Sequence, residues 1–547
     1  MMRILAGALG DCVHVAGVNH FLSLAERMGH ETLFTGPATD AESWADLAQD
    51  FQPDIIGVSY RLTPENARHA LQEFWGVMKA AGLTDRRFAF GGTPPVAEVA
   101  RDMGVFEIVF DGTEPASAVI AYLKGEGAAG DGEIVPPQTT IERIRWKAPY
   151  PLLRHHFGIP AESITPTIEG IAHIAEAAVL DVVSLGADQD AQEHFFRPDL
   201  QNPRRKGSGG VPFRSEDDLR SLYEASRRGN YPLMRSYSGT ADLLRYAEML
   251  RRTIKNAWCA TSLFWFNAMD GRGPLSLERS IRDHIDLMAW HGERDIPVEG
   301  NEPYHWGMRD APDVISVVAS YLYAYNANRA GVRDYITTYM FESPPTLSNK
   351  MDLAKALAQI QMAEAFVDQD FRIWRQTRTG LLSYPVDMAR ARAHLAESVY
   401  LQMALRPSIV HVVGYTEADH AATATEVSES AKMTQQVIET ALEGQPNMTY
   451  DPEVQARVEI LASEAGVLID AIRSLGAGRV EDPLSDPATL AHAVEVGLLD
   501  TPQLKRNRFA RGAIRTRAIE GAIVAVDEEG RPISERERIR DLGLNTA

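Results

Sequence analysis

The first short apolar run, MRILAGA, leads into a loop that holds Asp11, Cys12, His14 and Gly17 close together. That grouping is too polar for a strand and too rich in ligand-type side chains for an ordinary turn. It is either a tight strand-to-helix corner or a loop built to hold something. An imidazole with an acidic neighbour is the usual arrangement that fixes the tautomer of a metal-binding histidine. Further along, Ser59, the pair Gly91–Gly92 and Gly112–Thr113 each stand at the end of another short apolar run. Small residues there leave a slot lined by backbone rather than by side chains. A second group of polar residues ends the apolar runs of the later part of the chain: Arg235, Asn267, Glu302, Glu342 and Glu417. Cys12 and Cys259 are the only cysteines, which excludes a disulfide framework and a cysteine-based zinc site. His14 and His20 alone are too few for zinc, which takes three or four protein ligands.

The elements that must position these residues follow from the hydrophobic pattern. Residues 1 to 125 alternate short apolar runs (MRILAGA, HETLFTG, PDIIGVSY, RFAFGG, FEIVFDG) with amphipathic helical stretches. Five such repeats predict an α/β domain of the doubly wound, flavodoxin-like kind, whose ligands lie at the carboxyl ends of parallel strands. Residues 126 to 150, beginning in the Gly-rich GEGAAGDGEIVPPQ, read as a linker. From 151 to 450 the runs LDVVSLGA, YPLMRSYSG, WCATSLFWF, DIPVEGNE, DYITTYMF and SIVHVVGY alternate with helical stretches. This predicts a (β/α)8 TIM-type barrel with its chemistry at the C-terminal ends of the strands. Residues 451 to 547 read as a helical extension with a small β portion around GAIVAVDEEGRP, an α+β appendage.

The 547 residues carry 75 acidic against 55 basic side chains, a net charge of -20. That excess argues against nucleic acid or an anionic membrane surface as the partner. No apolar run approaches the roughly 18 residues of a membrane span. The opening residues turn polar too soon for a signal peptide, so a cytoplasmic location is expected. The expected partners are a small amino-acid-like substrate and a second copy of the chain in a homodimer.

The first set of residues resembles the cobalamin-binding domain of the base-off, His-on type, with its Asp-x-His-x-x-Gly, Ser-x-Leu and Gly-Gly signatures. HVAG supplies His14 and Gly17, VSYRL supplies Ser59 and Leu62, and FGG supplies Gly91 and Gly92. Gly29, closing the first helix, and DGTEP, with Gly112 and Thr113, also resemble that family. The resemblance implies that His14 is the lower ligand of cobalt and that the displaced nucleotide tail threads into the slot beside Ser59 and the glycines. Two departures are present. Asp11 lies three residues before His14 rather than two, and Leu62 lies one residue late after Ser59. From the histidine alone, a flavodoxin-like domain without a metal is the better reading.

The later segments PLMRSYSGTADLL, LSLERSIRDHIDL, GNEPYHWG, YITTYMFESPP and AVEVGLLDTPQLKRNRFARG resemble, in order, the catalytic subunit of glutamate mutase (methylaspartate mutase). The whole chain is then similar to that enzyme's small cobalamin subunit fused ahead of its large barrel subunit. The resemblance implies an adenosylcobalamin-dependent carbon-skeleton mutase, a radical isomerase of an amino dicarboxylic acid or a close analogue. It places Arg235 and Arg282 in the substrate clamp, a role that suits the planar, bidentate guanidinium. It makes Glu302 the holder of the substrate ammonium and Glu417 a contact of the adenosyl group. The third clamp arginine of the family has no match here, with Arg197, Arg204 and Arg205 as nearby candidates. The lysine expected near VGYTEADHAATATE is missing.

Plainer readings stand beside these. A strand-end arginine such as Arg235 is often an ion-pair partner, and Arg282, beside Asp283 and Asp286, suits a surface salt bridge. Glu302, between Asn301 and Pro303, suits a loop cap. Two other functions share these folds. A cobalamin-dependent methyltransferase usually carries a helical cap ahead of its cobalamin domain, and no such pattern precedes the first strand. A non-catalytic cobalamin sensor or carrier needs no ordered Arg/Glu set in a barrel.

Overall fold

The computed structural model describes residues 1–114, 116–125 and 135–544. Pro115 of the DGTEP segment and residues 126–134 of the expected linker lie outside the described residues. The chain divides into two compact units, one of residues 1–135 with 147–149 and one of 136–146 with 150–547.

The first unit is a five-stranded parallel sheet of β1 (Arg3–Ala8), β2 (Glu31–Phe34), β3 (Ile55–Tyr60), β4 (Arg87–Gly92) and β5 (Ile108–Phe110). Its order is β2-β1-β3-β4-β5, the flavodoxin-like arrangement expected. Residues Ile4 to Ala8 of β1 are all buried, because helices cover both faces of the sheet and the strand must be apolar on both sides. The helices begin where their caps dictate. Asp40 accepts the Ser43 amide ahead of helix Ala41–Phe51, and Thr63 accepts the Asn66 amide ahead of Pro64, which opens helix Pro64–Ala80. Trp44, Phe74 and Phe88 pack edge to face in the core, with ring centroids 5.6 and 6.2 Å apart. The chain leaves β1 toward β2 on one side and β3 on the other, so the switch point where such folds bind ligands lies between β1 and β3.

The second unit contains an eight-stranded parallel barrel: β6 (Leu152–Phe157), β7 (Val182–Leu185), β8 (Leu233–Ser236), β9 (Cys259–Thr261), β10 (Val298–Gly300), β11 (Asp334–Met340), β12 (Arg372–Arg378) and β13 (Ile409–His411). β13 pairs with β6, and the one seam without a strand ladder falls between β8 and β9. Across it the Ala257 amide donates to the Met234 carbonyl at 2.8 Å and the Ser238 hydroxyl to the Ala260 carbonyl at 2.6 Å. β6 and β12 were not among the apolar runs read as strands.

Part of the expected linker is structured. Helix Thr140–Lys147 belongs to the floor of the barrel. Arg143, with no exposed surface, donates to the carbonyls of Asp181, Asn230 and Tyr231, just ahead of β7 and β8. Ile144 packs there with Leu152, Val182, Leu233, Trp258, Ile336 and Ile409.

The extension after residue 450 shares the barrel's packing. Val454, Leu461, Leu468 and Ile472 of helix Pro452–Gly476 are buried in one cluster with Val317, Leu322 and Leu353 of the barrel's outer helices. Arg457 pairs with the buried Asp313 at 3.0 Å, and Asp313 also accepts the Ile523 amide. A hairpin of β14 (Thr516–Ile519) and β15 (Ala522–Ala525) completes the extension. Its turn holds Glu520 and Gly521 at φ 50° and 78°, the left-handed pair a two-residue hairpin needs. No described helix is long and apolar enough to cross a membrane.

Candidate functional site

In the first unit the strand register draws the expected residues into one row. Ala8 pairs with Ser59, Ser59 with Gly91, and Gly91 with Phe110, at the carboxyl ends of β1, β3, β4 and β5. A Cβ on Gly91 would meet nothing within 4 Å, so open space lies over the row. Gly92 is different, because a Cβ there would stand 2.7 Å from the Tyr60 carbonyl. It is needed for close packing of β3 and β4. His14 and Gly17 border the row from the loop and first helix, and both are exposed. The His14 Nδ1 lies 3.9 Å from the Cys12 sulfur, and no partner of its Nε2 is found among the described residues. Leu62 is 36% exposed on the loop after β3.

Asp11 departs from expectation. Its carboxylate accepts the Tyr60 hydroxyl at 2.9 Å and makes no contact with His14. Burial and the Asp11 carboxylate push the Tyr60 hydroxyl up to about 12. The extra residue between Asp11 and His14 turns the carboxylate toward β3 instead. Thr113 is engaged in its own turn, donating to Asp111 through hydroxyl and amide, and Gly112 supplies that turn's positive φ of 86°.

In the second unit the buried polar chemistry centres on a residue the sequence reading passed over. Glu299 of β10 accepts from Arg154 of β6 at 2.8 Å and from Arg235 of β8 at 2.7 Å. It also accepts from Trp258 at 2.6 Å, Gln376 of β12 at 2.8 Å and Thr338 at 3.2 Å. Arg154, Arg235, Glu299 and Gln376 come from the first, third, fifth and seventh strands, so they form one barrel layer, polar where such layers are usually apolar. Burial opposes the charge on Glu299, but Arg154 and Arg235 outweigh it and hold the carboxyl well below the usual range.

Two guanidinium groups retain capacity to bind. Nε and Nη1 of Arg235 are buried and unpartnered, although one Nη2 bond is made. A buried donor without a partner is rare enough to need a reason. Arg378, at the C-terminal end of β12, is 4% exposed and has no carboxylate within ion-pair distance among the described residues. Its Nε makes only a long 3.4 Å bond to the Thr379 carbonyl. Near the same strand ends, both ring nitrogens of His305 and both amide atoms of Asn301 are buried without partners. Burial first, and nearby arginines second, hold His156, His305 and His411 well below their ordinary range, so these rings are neutral. The positive charge of Arg154, Arg235 and Arg378 therefore exceeds the single charge of Glu299, and this part of the barrel suits an anion.

Several expected residues stand elsewhere. Arg282 lies on helix Leu277–Gly292 outside the barrel, half exposed and paired with Glu278 at 3.2 Å. The i, i+4 spacing on a helix surface explains that pair. Glu302 is fully buried, but its carboxylate already accepts from Ser262, the Leu263 and Phe264 amides and the Trp306 indole. It fastens the loop after β9 to helix Glu302–Gly307, and burial pushes its carboxyl up despite those donors. Asn267 serves the same loop, bonding Phe264 and Met269. Arg197 and Arg204 are exposed, while Arg205 pairs with Glu193 at 3.2 Å. Glu417 is exposed on the loop after β13.

The fold is thus a doubly wound α/β unit with a loop histidine at its ligand-binding edge, together with a (β/α)8-type barrel whose interior is cationic. Residues 274–543, just under half of the chain, match the family of the methylaspartate mutase E chain. Among solved structures, a cobalamin-binding protein from Desulfitobacterium hafniense is 25% identical over 23% of this chain. The chain spans 60% of that protein's length, with a TM-score of 0.21. The cobalamin-dependent S-adenosylmethionine radical enzyme OxsB is 12% identical, with 90% of this chain and 70% of that one covered and a TM-score of 0.19.

Proposed function

We propose that the chain is an adenosylcobalamin-dependent carbon-skeleton mutase acting on an amino dicarboxylic acid or a close analogue. The observation that carries this reading is the buried, unsatisfied guanidinium of Arg235, in a barrel whose later part, from residue 274 onward, matches the family of the methylaspartate mutase E chain. Arg235 Nε and Nη1 lie on different edges of the guanidinium, so each offers one charge-assisted hydrogen bond to a carboxylate oxygen. Arg378 supplies a second cation for the other carboxylate. Glu299 keeps Arg235 fixed and charged, and Arg154 holds the same Glu299 oxygen. Asn301 Oδ1 and the neutral His305 offer acceptors for the substrate's amine, a task that Glu302 is too heavily bonded to perform.

The residues of the first unit fit cobalamin. His14 is exposed, its Nε2 has no partner among the described residues, and Gly91 leaves room beside Ser59 for the nucleotide tail. His14 would ligate cobalt, with Gly17, Ser59, Gly91 and Gly92 lining the tail's path. Bound adenosylcobalamin would supply the radical that starts and ends the rearrangement. The barrel's own work is to hold the carboxylates, keep nearby histidines neutral and exclude water.

Incubation of the purified chain with adenosylcobalamin and a panel of amino and hydroxy diacids tests the reading. A paramagnetic signal and an isomerised diacid are expected. Methyl transfer from methylcobalamin, or binding of either cobalamin form without turnover of any diacid, would overturn it.

A further inference from the structure

We propose that Glu342, His394 and Glu397 form a binding site for one divalent transition-metal cation such as Zn2+ or Mn2+, separate from the His14 loop and from the Arg235 cluster. Glu342 follows β11, while His394 and Glu397 lie three residues apart on helix Met388–Gln402, after β12, and so share one helix face. One ligand atom from each of the three lies within 4.8 Å of the other two. An imidazole and two carboxylates form a mixed nitrogen and oxygen set suited to such ions.

The decisive feature is Glu342. It is 7% exposed, and its Oε1 is buried with no hydrogen-bond partner. Its Oε2 is aimed at the site, 3.5 Å from His394 Nε2 and 3.4 Å from the Ser383 hydroxyl. A buried carboxylate with one oxygen unpartnered and no cation beside it is costly. The neighbouring Asp352 has Lys355 at 2.9 Å, whereas Glu342 has no lysine or arginine partner among the described residues. The backbone of Glu342 is held at φ 51°, an uncommon conformation for a residue with a side chain and one concentrated at functional sites. Gly380 permits that placement, since a Cβ there would stand 2.6 Å from the Glu342 carbonyl. The supporting shell is in place as well: Ser383 bonds His394 Nε2 at 2.8 Å and Asn349 donates to one oxygen of Glu397 at 2.6 Å. A bound cation would displace Ser383 from the imidazole and tie the loop after β11 to helix Met388–Gln402.

The test is calorimetric titration of the chelator-stripped full chain with Zn2+ and, separately, Mn2+, with bound metal counted by elemental analysis. One equivalent should bind, and Glu342→Gln and His394→Gln should abolish it. Glu397→Gln, at an exposed position that leaves the fold intact, should weaken it by at least about tenfold. His14→Ala should leave this binding unchanged. Failure of the stripped wild type to take up one equivalent of either ion would overturn the proposal. So would wild-type affinity in Glu397→Gln, or binding lost with His14→Ala and retained in His394→Gln.

Discussion

Arg235 donates to Glu299 at 2.7 Å from the third barrel strand to the fifth, with neither side chain exposed by more than 1%. Arg154 reaches the same oxygen from the first strand. One carboxylate thus holds two guanidinium groups in a dry interior, and the arrangement is stable only while all three remain. Glu299→Gln should destabilise the barrel by about 3–5 kcal/mol, because it strands two buried cations. Urea unfolding of the variant beside the wild type measures this. A loss under about 1 kcal/mol would mean that water or another anion compensates the arginines.

Arg378 is the opposite case, a buried cation with no carboxylate within ion-pair distance among the described residues. Arg378→Met should cost little stability, since it removes a charge rather than abandoning one. If Arg378 receives a substrate carboxylate, the same variant loses about 1.5–3 kcal/mol of binding, roughly tenfold to a hundredfold in KM. Unchanged kinetics on every accepted diacid would place the second carboxylate elsewhere.

Arg282→Ala should leave both stability and turnover within experimental error of the wild type. Its partner Glu278 is as exposed as Arg282 itself, and such surface pairs contribute about 0–1 kcal/mol. A large fall in kcat/KM would return Arg282 to the clamp that the resemblance implied.

His14→Ala should change the absorption spectrum of bound cobalamin or abolish binding. Asp11→Asn should change it little, because Asp11 bonds Tyr60 and not the imidazole. An unchanged spectrum at full occupancy in His14→Ala would remove the histidine as a ligand.

His284 and His291 share the buried face of helix Leu277–Gly292, and burial lowers both to about 4. In the unfolded chain they titrate near 6.5. Their contribution is therefore complete above about pH 6.5 and is lost as the pH falls toward 4, where the unfolded state takes up protons first. The loss is on the order of 3 kcal/mol for each histidine at pH 4. Melting temperatures from pH 7 to 4 should fall steeply, and less steeply in the double variant His284→Gln/His291→Gln. An identical slope in the two proteins would refute this assignment.

The sequence by itself determined the architecture wherever strands are apolar on both faces. All five strands of the first unit and six of the barrel's eight were legible as short apolar runs, although the edge strands β2 and β5 are only partly buried. Ser59, Gly91 and Gly92 were legible too, because strand ends are marked by small residues and turn signals. Only the tertiary structure revealed β6 and β12. Their sequences, LLRHHF and RIWRQTR, carry arginines and histidines that a hydrophobic pattern assigns to the surface. Barrel closure turns some of those side chains inward, where Arg154 and Gln376 meet Glu299, far away in the chain. The same limit governed the acidic residues. Glu299 and Glu302 are three residues apart and equally buried, yet one anchors two arginines while the other ties down a loop. Local sequence fixes the backbone direction at each position, but the partner of a buried charge depends on which strands lie across the barrel. That choice belongs to the closed fold alone.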